Sequence, residues 1–333
     1  MLWLELFGYL IVILIAAEVF VNALEHLGEK LKISEGVTGS IFAAVGTALP
    51  ETMVPLLAIF AGTQNAQINE EIGVGAILGA PLMLSTLTLF LVSLAVLKKR
   101  GVHGTFIPEP TGLRRDLNFF LGAFALACVA LFIPHETKEI RVLFSFVMVL
   151  IYFVYIMVTL RASAALVEDG HGTEAGAPMF LTKIGIPTNL GTIVFQLGLG
   201  LGLLVLGAEG FIHGVEQAAP ILGISALLLS LMIVPLATEL PEKVNSILWI
   251  RKNKDTLAFG NVTGAMVFQG TLLPAIGISL TPWIPQKEVL AGVVITLVAA
   301  AWLRWMVTRG QLRVWHLWVN GALYATYLTI ALA

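Results

Sequence analysis

Long apolar runs separated by short polar stretches fill almost the whole chain. Runs long enough to cross a bilayer fall near residues 4–24, 36–61, 73–97, 117–133, 142–163, 190–212, 221–250, 256–280, 288–308 and 315–333. The pattern predicts an all-α polytopic membrane protein with ten transmembrane helices. Lys and Arg divide unevenly around them. Fifteen fall in loops that follow odd-numbered helices, three (Lys138, Arg141 and Lys287) fall on the opposite side, and Lys243 lies within a helix. By the positive-inside rule the odd loops are cytoplasmic and both termini are extracytoplasmic.

Two polar interruptions of the apolar pattern match each other. One is Gly46-Thr47-Ala48-Leu49-Pro50-Glu51 in the second run, the other Ala237-Thr238-Glu239-Leu240-Pro241-Glu242 in the seventh. A carboxylate at membrane depth is costly, so each Glu is a functional candidate. Thr47 and Glu51 stand i,i+4 and share a helix face, as do Thr238 and Glu242. Pro50 and Pro241 have no N–H to donate to the carbonyls of Gly46 and Ala237, which stay open to another partner. Each site thus offers carboxylate, hydroxyl and carbonyl oxygens, hard ligands that suit a cation such as Ca²⁺. Glu239 adds a third carboxylate, with Lys243 four residues on in the favourable Glu-to-Lys order. That pair reads either as an internal ion pair or as a tethered ammonium standing where a cation would bind.

The match extends beyond the motif. At an ungapped offset of 191, residues 17–51 lie over 208–242 with 11 identities in 35 positions, including Glu18/Glu209, Thr47/Thr238, Pro50/Pro241 and Glu51/Glu242. Past the motif the first copy is six residues longer, after which Gly75 to Ala80 meets Gly260 to Ala265. The expected organisation is a first repeat at 1–163, a solvated cytoplasmic linker at 164–189 and a second repeat at 190–333. Five helices per repeat is an odd number, so the second repeat must cross the membrane upside down relative to the first. Inverted repeats with Pro- and Gly-interrupted helices point to a midplane site between the halves, the architecture of secondary transporters. Glu18 and Glu209 on the first helix of each repeat are accessory candidates for an ion path; the alternative is a helix end turning polar at the interface. Helices 4, 5, 9 and 10 read as scaffold, with almost no buried charge.

Composition agrees. The 333 residues are 58% hydrophobic and 12% charged, against roughly 25% charge in a soluble domain. Mean hydropathy is +0.92. A net charge of −2 gives no support for a nucleic-acid partner, and the lone Cys128 supplies neither a disulfide framework nor a thiolate metal site. A membrane enzyme would need catalytic Asp pairs or Asp-rich runs, and none stands in the helices. The expectation is a transporter without a cofactor, partnered by lipid and by the ions it carries, acting as a monomer in the plasma (inner) membrane.

With two copies of Thr-x-Leu-Pro-Glu in inverted five-helix repeats, the chain resembles the calcium/cation antiporter superfamily, which includes the sodium/calcium exchangers. The resemblance implies a sodium/calcium exchanger-like fold in which the first helix of each repeat slides to alternate access. It also implies that Glu51, Glu242, Thr47 and Thr238 bind Ca²⁺. Gly79-Ala80 and Gly264-Ala265 resemble the family's Gly-Ser steps. The departures fall on oxygens that resemble Na⁺ ligands: Ala80 and Ala265 stand where Ser is usual, Leu84 and Gln269 where Asn or Asp is frequent, and Ala48 and Glu239 where Ser is common.

The reading is an alternating-access antiporter exchanging Ca²⁺ or a related divalent cation for H⁺ or Na⁺, with H⁺ favoured because the Na⁺-type oxygens are depleted. Glu239, Lys243, Gln269, Gly46, Ala237, Glu18 and Glu209 are accessory or gating candidates. Alternatives are a sodium/proton-type monovalent exchanger, or a degenerate member that binds without transporting because Lys243 fills the ion site.

Overall fold

A computed structural model describes residues 2–30, 49–167 and 178–333; Gly46 and Thr47 of the first motif lie outside the described residues. Its elements are α1 (Leu2–Lys30), α2 (Leu49–Ala61), α3 (Ala66–Met83), a π-helical turn (Leu84–Thr88), α4 (Leu89–Arg100), α5 (Pro110–Ala130) and α6 (Lys138–Val167). A 3-10 turn (Phe180–Ile184) precedes α7 (Leu190–Leu222), α8 (Ala226–Thr238), α9 (Leu240–Arg251), α10 (Asp255–Gln269), α11 (Leu272–Leu280), α12 (Lys287–Thr308) and α13 (His316–Leu332). Local chemistry sets several starts. Asn189 and Thr192 form a reciprocal capping box at α7. Glu109 accepts from the Thr111 and Gly112 backbone N–H groups at α5, with Pro110 following. The Gly112 N–H is the larger influence holding the Glu109 carboxyl below its ordinary range.

Among the described residues six segments are long and apolar enough to span a bilayer on their own: Leu2–Phe20, Ala66–Arg100, Lys138–Thr159, Leu190–Leu222, Ala258–Leu280 and Lys287–Thr308. The other spans have identifiable reasons for failing that test. The span of α5 opens with Arg114, Arg115 and Asp116. That of α13 has only 17 residues. The second motif's span is divided into α8 and α9 across a break, and α2 is the described part of the first motif's span. Together they form an all-α bundle of ten spans in two inverted five-helix repeats.

The inversion is visible where the first helices of the repeats meet. A Cβ at Gly200 of α7 would lie 2.9 Å from the Phe20 backbone of α1, one at Gly207 2.9 Å from Ile13, and one at Gly214 2.7 Å from Leu6. As α7 ascends α1 descends, so the two run antiparallel at a separation that only glycine permits. By contrast α3 and α8 run parallel. Gly75 and Gly79 of α3 approach the Leu227 and Leu231 carbonyls of α8, and Ser230 Oγ donates to the Ile72 carbonyl at 2.8 Å. This pair is the seam between two apolar cores, one built on α1, α2 and α7 and the other on α4 to α6 and α10 to α12.

Both third helices of the repeats are irregular at the same place. An offset of 185 lays Leu84 to Thr86 over Gln269 to Thr271. The first stretch is the π turn, and the second is the break between α10 and α11. Thr86 and Thr271 turn their hydroxyls back onto the carbonyls of Leu82 and Val267, and Pro81 withholds a backbone donor.

Two expectations change. Helices 4 and 5 read as scaffold with almost no buried charge, and Asp116 and Arg141, each one residue before the expected apolar run, are buried in α5 and α6. Asp116 accepts from Thr263 at 2.9 Å and Tyr155 at 3.2 Å. Arg141 donates to the carbonyls of Ile278 in the last turn of α11 and of Thr281 and Pro282 just past its end. Each is tolerated because its partners satisfy it. The end of the expected solvated linker is packed rather than free. Met179 and Leu181 are buried with Ile193, Phe180 N–H donates to Asn22 at 3.0 Å, and Gln196 bridges Asn22 and Leu181.

Candidate ion-binding site

The second motif sits on a broken helix. α8 ends at Thr238, α9 begins at Leu240, and Glu239 between them has φ −89° and ψ 10°. Pro241 in the first turn of α9 cannot supply an N–H to Ala237, which lies in the last turn of α8. Glu242 follows in the first turn of α9, and Glu51 holds the equivalent place in α2. The positive end of the α9 dipole favours a carboxylate at Glu242.

All these groups are withdrawn from solvent. Relative exposure is 2% for Glu51, 3% for Glu242, 1% for Thr238, 0% for Glu239, 3% for Lys243 and 1% for Gln269. The charges of Glu242, Glu239 and Lys243 all act on Glu51, which brings the carboxylates of the two motifs into one electrostatic centre. Among the described residues neither Glu51 carboxylate oxygen accepts a hydrogen bond. Thr238 donates its hydroxyl to the Val234 carbonyl at 3.1 Å and keeps its oxygen lone pairs as ligands. Asn261 of α10 fixes the second carboxylate's helix, donating to the Glu242 carbonyl at 3.1 Å and to Ser246 Oγ at 3.0 Å.

Lys243 leans back across the helix break. Its Nζ lies 3.0 Å from Glu239 Oε2 and 2.7 Å from the Pro235 carbonyl oxygen. Met83 Sδ of α3 is 3.5 Å away, and Gln269 interacts with the Glu239 carboxylate from α10. The ammonium is held by Glu239 and by the end of α8.

The remaining candidates separate. Glu18 is exposed on α1 and Glu209 is half-buried on α7, and neither is among the groups that act most on Glu51. His213 is 59% exposed and lies 3.7 Å from Glu216, a surface pair. Asn261 and Met83 are the neighbours that sequence reasoning passed over; only the alignment of Gly260 to Ala265 with Gly75 to Ala80 hinted at the first. Chemically, two buried carboxylates with a hydroxyl and a helix break make a hard-oxygen centre of negative charge. Among the described residues no three His, Cys, Asp or Glu side chains converge as a closed metal cage, so a cation here must draw its other ligands from hydroxyls, backbone carbonyls or water.

A family model described as sodium/calcium exchanger protein matches residues 1–161 and 192–333. The putative antiporter CaxA of Alkalimonas amylolytica is 26% identical over 275 residues, 82% of this chain and 79% of that protein. The crystal structure of the H⁺/Ca²⁺ exchanger CAX superimposes with a TM-score of 0.75 at 17% identity, covering 100% of this chain and 82% of that one. The sodium-calcium exchanger NCX_Mj superimposes with a TM-score of 0.59 at 19% identity, covering 99% of both chains.

Proposed function

This chain belongs to the sodium/calcium exchanger protein family, and from that premise we propose that it is a secondary active cation antiporter that exchanges Ca²⁺ or a related divalent cation for protons. One observation carries the reading. Glu51 and Glu242, one from each of the two inverted repeats and each beside a proline of the same motif, are both buried inside the bundle. Thr238, and by repeat symmetry Thr47, complete the ligand set, with the Ala237 and Gly46 carbonyls released by the prolines beside them. Related proteins carry names for both proton and sodium coupling. Here Ala80, Ala265 and Leu84 offer no side-chain oxygen to a Na⁺ ion, whereas the same carboxylates that hold a divalent cation also take up protons.

In this proposal residues 1–163 and 190–333 are the two repeats, 164–189 joins them, both termini lie outside an inner membrane, and one chain suffices. Alternating access follows from sliding the α1 and α7 pair over the seam formed by α3 and α8. Lys243 does not make the site degenerate, because Glu239 and the Pro235 carbonyl hold its ammonium. The test is Ca²⁺ uptake into proteoliposomes with Na⁺ and pH gradients imposed separately. Uptake driven by a pH gradient in Na⁺-free buffer, with proton movement reported by an internal dye, is expected. Uptake that needs a Na⁺ gradient and ignores pH overturns the proton assignment, and no uptake under either gradient overturns the antiporter reading.

A further inference from the structure

Several buried charges in the described residues are accounted for by anchoring. Arg141 sits on carbonyls at the end of α11, Asp116 takes Thr263 and Tyr155, and Arg100 pairs with Asp255. Lys243 is different, because its surroundings are those of a cation ligand set. Glu239 Oε2 and the Pro235 carbonyl oxygen lie 3.0 and 2.7 Å from Nζ. Pro235 is in the last turn of α8, at the negative end of the helix dipole, and its carbonyl oxygen accepts from Lys243 Nζ and also from the Glu239 N–H at 3.3 Å. A free Na⁺ or K⁺ would use the same carboxylate and carbonyl. An ion pair serving only to brace α9 would have no reason to reach eight residues back across the break to α8.

The charge count points the same way. Glu51, Glu239 and Glu242 supply three negative charges and Lys243 one positive. With every one of these groups ionised the formal charge is −2, which one divalent cation balances; without Lys243 it is −3. Among the described residues the other side chains placed at Lys243 and Glu239 are uncharged, Met83 of α3 and Gln269 of α10.

We propose that Lys243 is the tethered occupant of a monovalent cation site formed by Glu239 and the Pro235 carbonyl, so that the centre binds a single divalent cation with no exchangeable monovalent ion beside it. This deepens the antiporter reading and rests on it. The test is Lys243→Ala, compared with wild type and with the double variant Glu239→Gln/Lys243→Met. Ca²⁺ uptake into proteoliposomes under a fixed pH gradient is measured with Na⁺, K⁺, methylammonium or bulky N-methylglucamine at equal concentration on both sides, so that the added cation supplies no driving force. Wild type should be indifferent to the choice. Lys243→Ala should lose uptake in N-methylglucamine and regain it, saturably, in at least one small cation, while the double variant shows no such activation. Equal uptake by Lys243→Ala in all four cations overturns the assignment, as does its silence in all four. Thermal unfolding of detergent-solubilised Lys243→Ala, read in the same cations, gives a second decision. A small cation should raise the unfolding temperature of Lys243→Ala and not that of wild type, and no shift overturns the assignment. Because this arm needs no transport, it decides the role of Lys243 even where wild-type uptake fails and the antiporter reading falls with it.

Discussion

Arg100 and Asp255 form a two-pronged ion pair, Nη1 to Oδ2 at 2.8 Å and Nη2 to Oδ1 at 2.6 Å, that ties the end of α4 to the start of α10. Fork-to-carboxylate geometry of this kind is the strong form of the interaction. Arg100 also donates to the Ile250 carbonyl at 3.2 Å, and Asp255 accepts from the Ile107 N–H at 2.8 Å. Asp255 is buried, and Arg100 is partly exposed at 13% of its side chain. Arg100→Ala should therefore destabilise the protein by about 3 kcal/mol or more, because it strands a buried carboxylate. Thermal unfolding in detergent reads this, and an unchanged unfolding temperature would show that the pair bears no load.

Glu51→Gln and Glu242→Gln should each reduce divalent uptake to background. Neither should lower the unfolding temperature, since each removes a buried charge while keeping the shape. A variant that unfolds at the wild-type temperature yet transports at the wild-type rate removes its glutamate from the site.

The α1 and α7 interface gives a controlled comparison. A Cβ at Gly200 would collide with the Phe20 backbone, whereas Gly198 and Gly202 have open space around theirs. Gly200→Val should force the helices apart, cost about 1–3 kcal/mol and slow exchange. Gly198→Ala and Gly202→Ala should be neutral or slightly stabilising, because Ala is the better helix former by up to about 1 kcal/mol. Equal transport by all three variants would separate this interface from access.

Which of these features the sequence displays depends on how local their cause is. Glu51 and Glu242 stand out because a Pro-Glu step inside an apolar run is visible within six residues, and the 191-residue offset repeats it. The Glu239 and Lys243 pair is legible for the same reason, being i,i+4. Periodicity tells which face of a helix is apolar but not which helix it meets. Asp116 finds Thr263 at a separation of 147 residues, and Arg141 finds the end of α11 from 137 residues away. No pattern near either residue announces its partner. Met83 looks like ordinary core until Lys243 is seen beside it. The packing of Met179 and Leu181 against Ile193 was hidden by the polar composition of the linker that precedes them.

Topology is checked with single cysteines in a Cys128→Ala background. Asn65 and Asn253 are both exposed and lie in loops on opposite sides of the Lys/Arg division. Asn65→Cys should react with a membrane-impermeant maleimide added to intact cells, and Asn253→Cys only after permeabilisation. Reaction of both from the same side would contradict the inverted arrangement.

The divalent affinity itself should depend on pH in a defined direction. A carboxylate must be deprotonated to ligate a metal, so protons and divalent cations exclude each other at Glu51 and Glu242. With pH equal on both sides there is no gradient to drive transport, and only this competition remains. Acidification should then raise the apparent dissociation constant for Ca²⁺. The rise is about tenfold per pH unit if one proton is displaced and approaches about a hundredfold if two are. Lys243 should not contribute to that slope, because its ammonium is already held by Glu239 and the Pro235 carbonyl. Na⁺ should compete feebly, since Ala80, Ala265 and Leu84 give it no side-chain oxygens. Equilibrium Ca²⁺ binding to the purified protein, titrated at several pH values and then at several Na⁺ concentrations, measures both slopes. Glu51→Gln should reduce the pH slope by about one proton, the share that its carboxylate carried. Affinity that ignores pH and falls steeply with Na⁺ would assign the counter-ion to sodium.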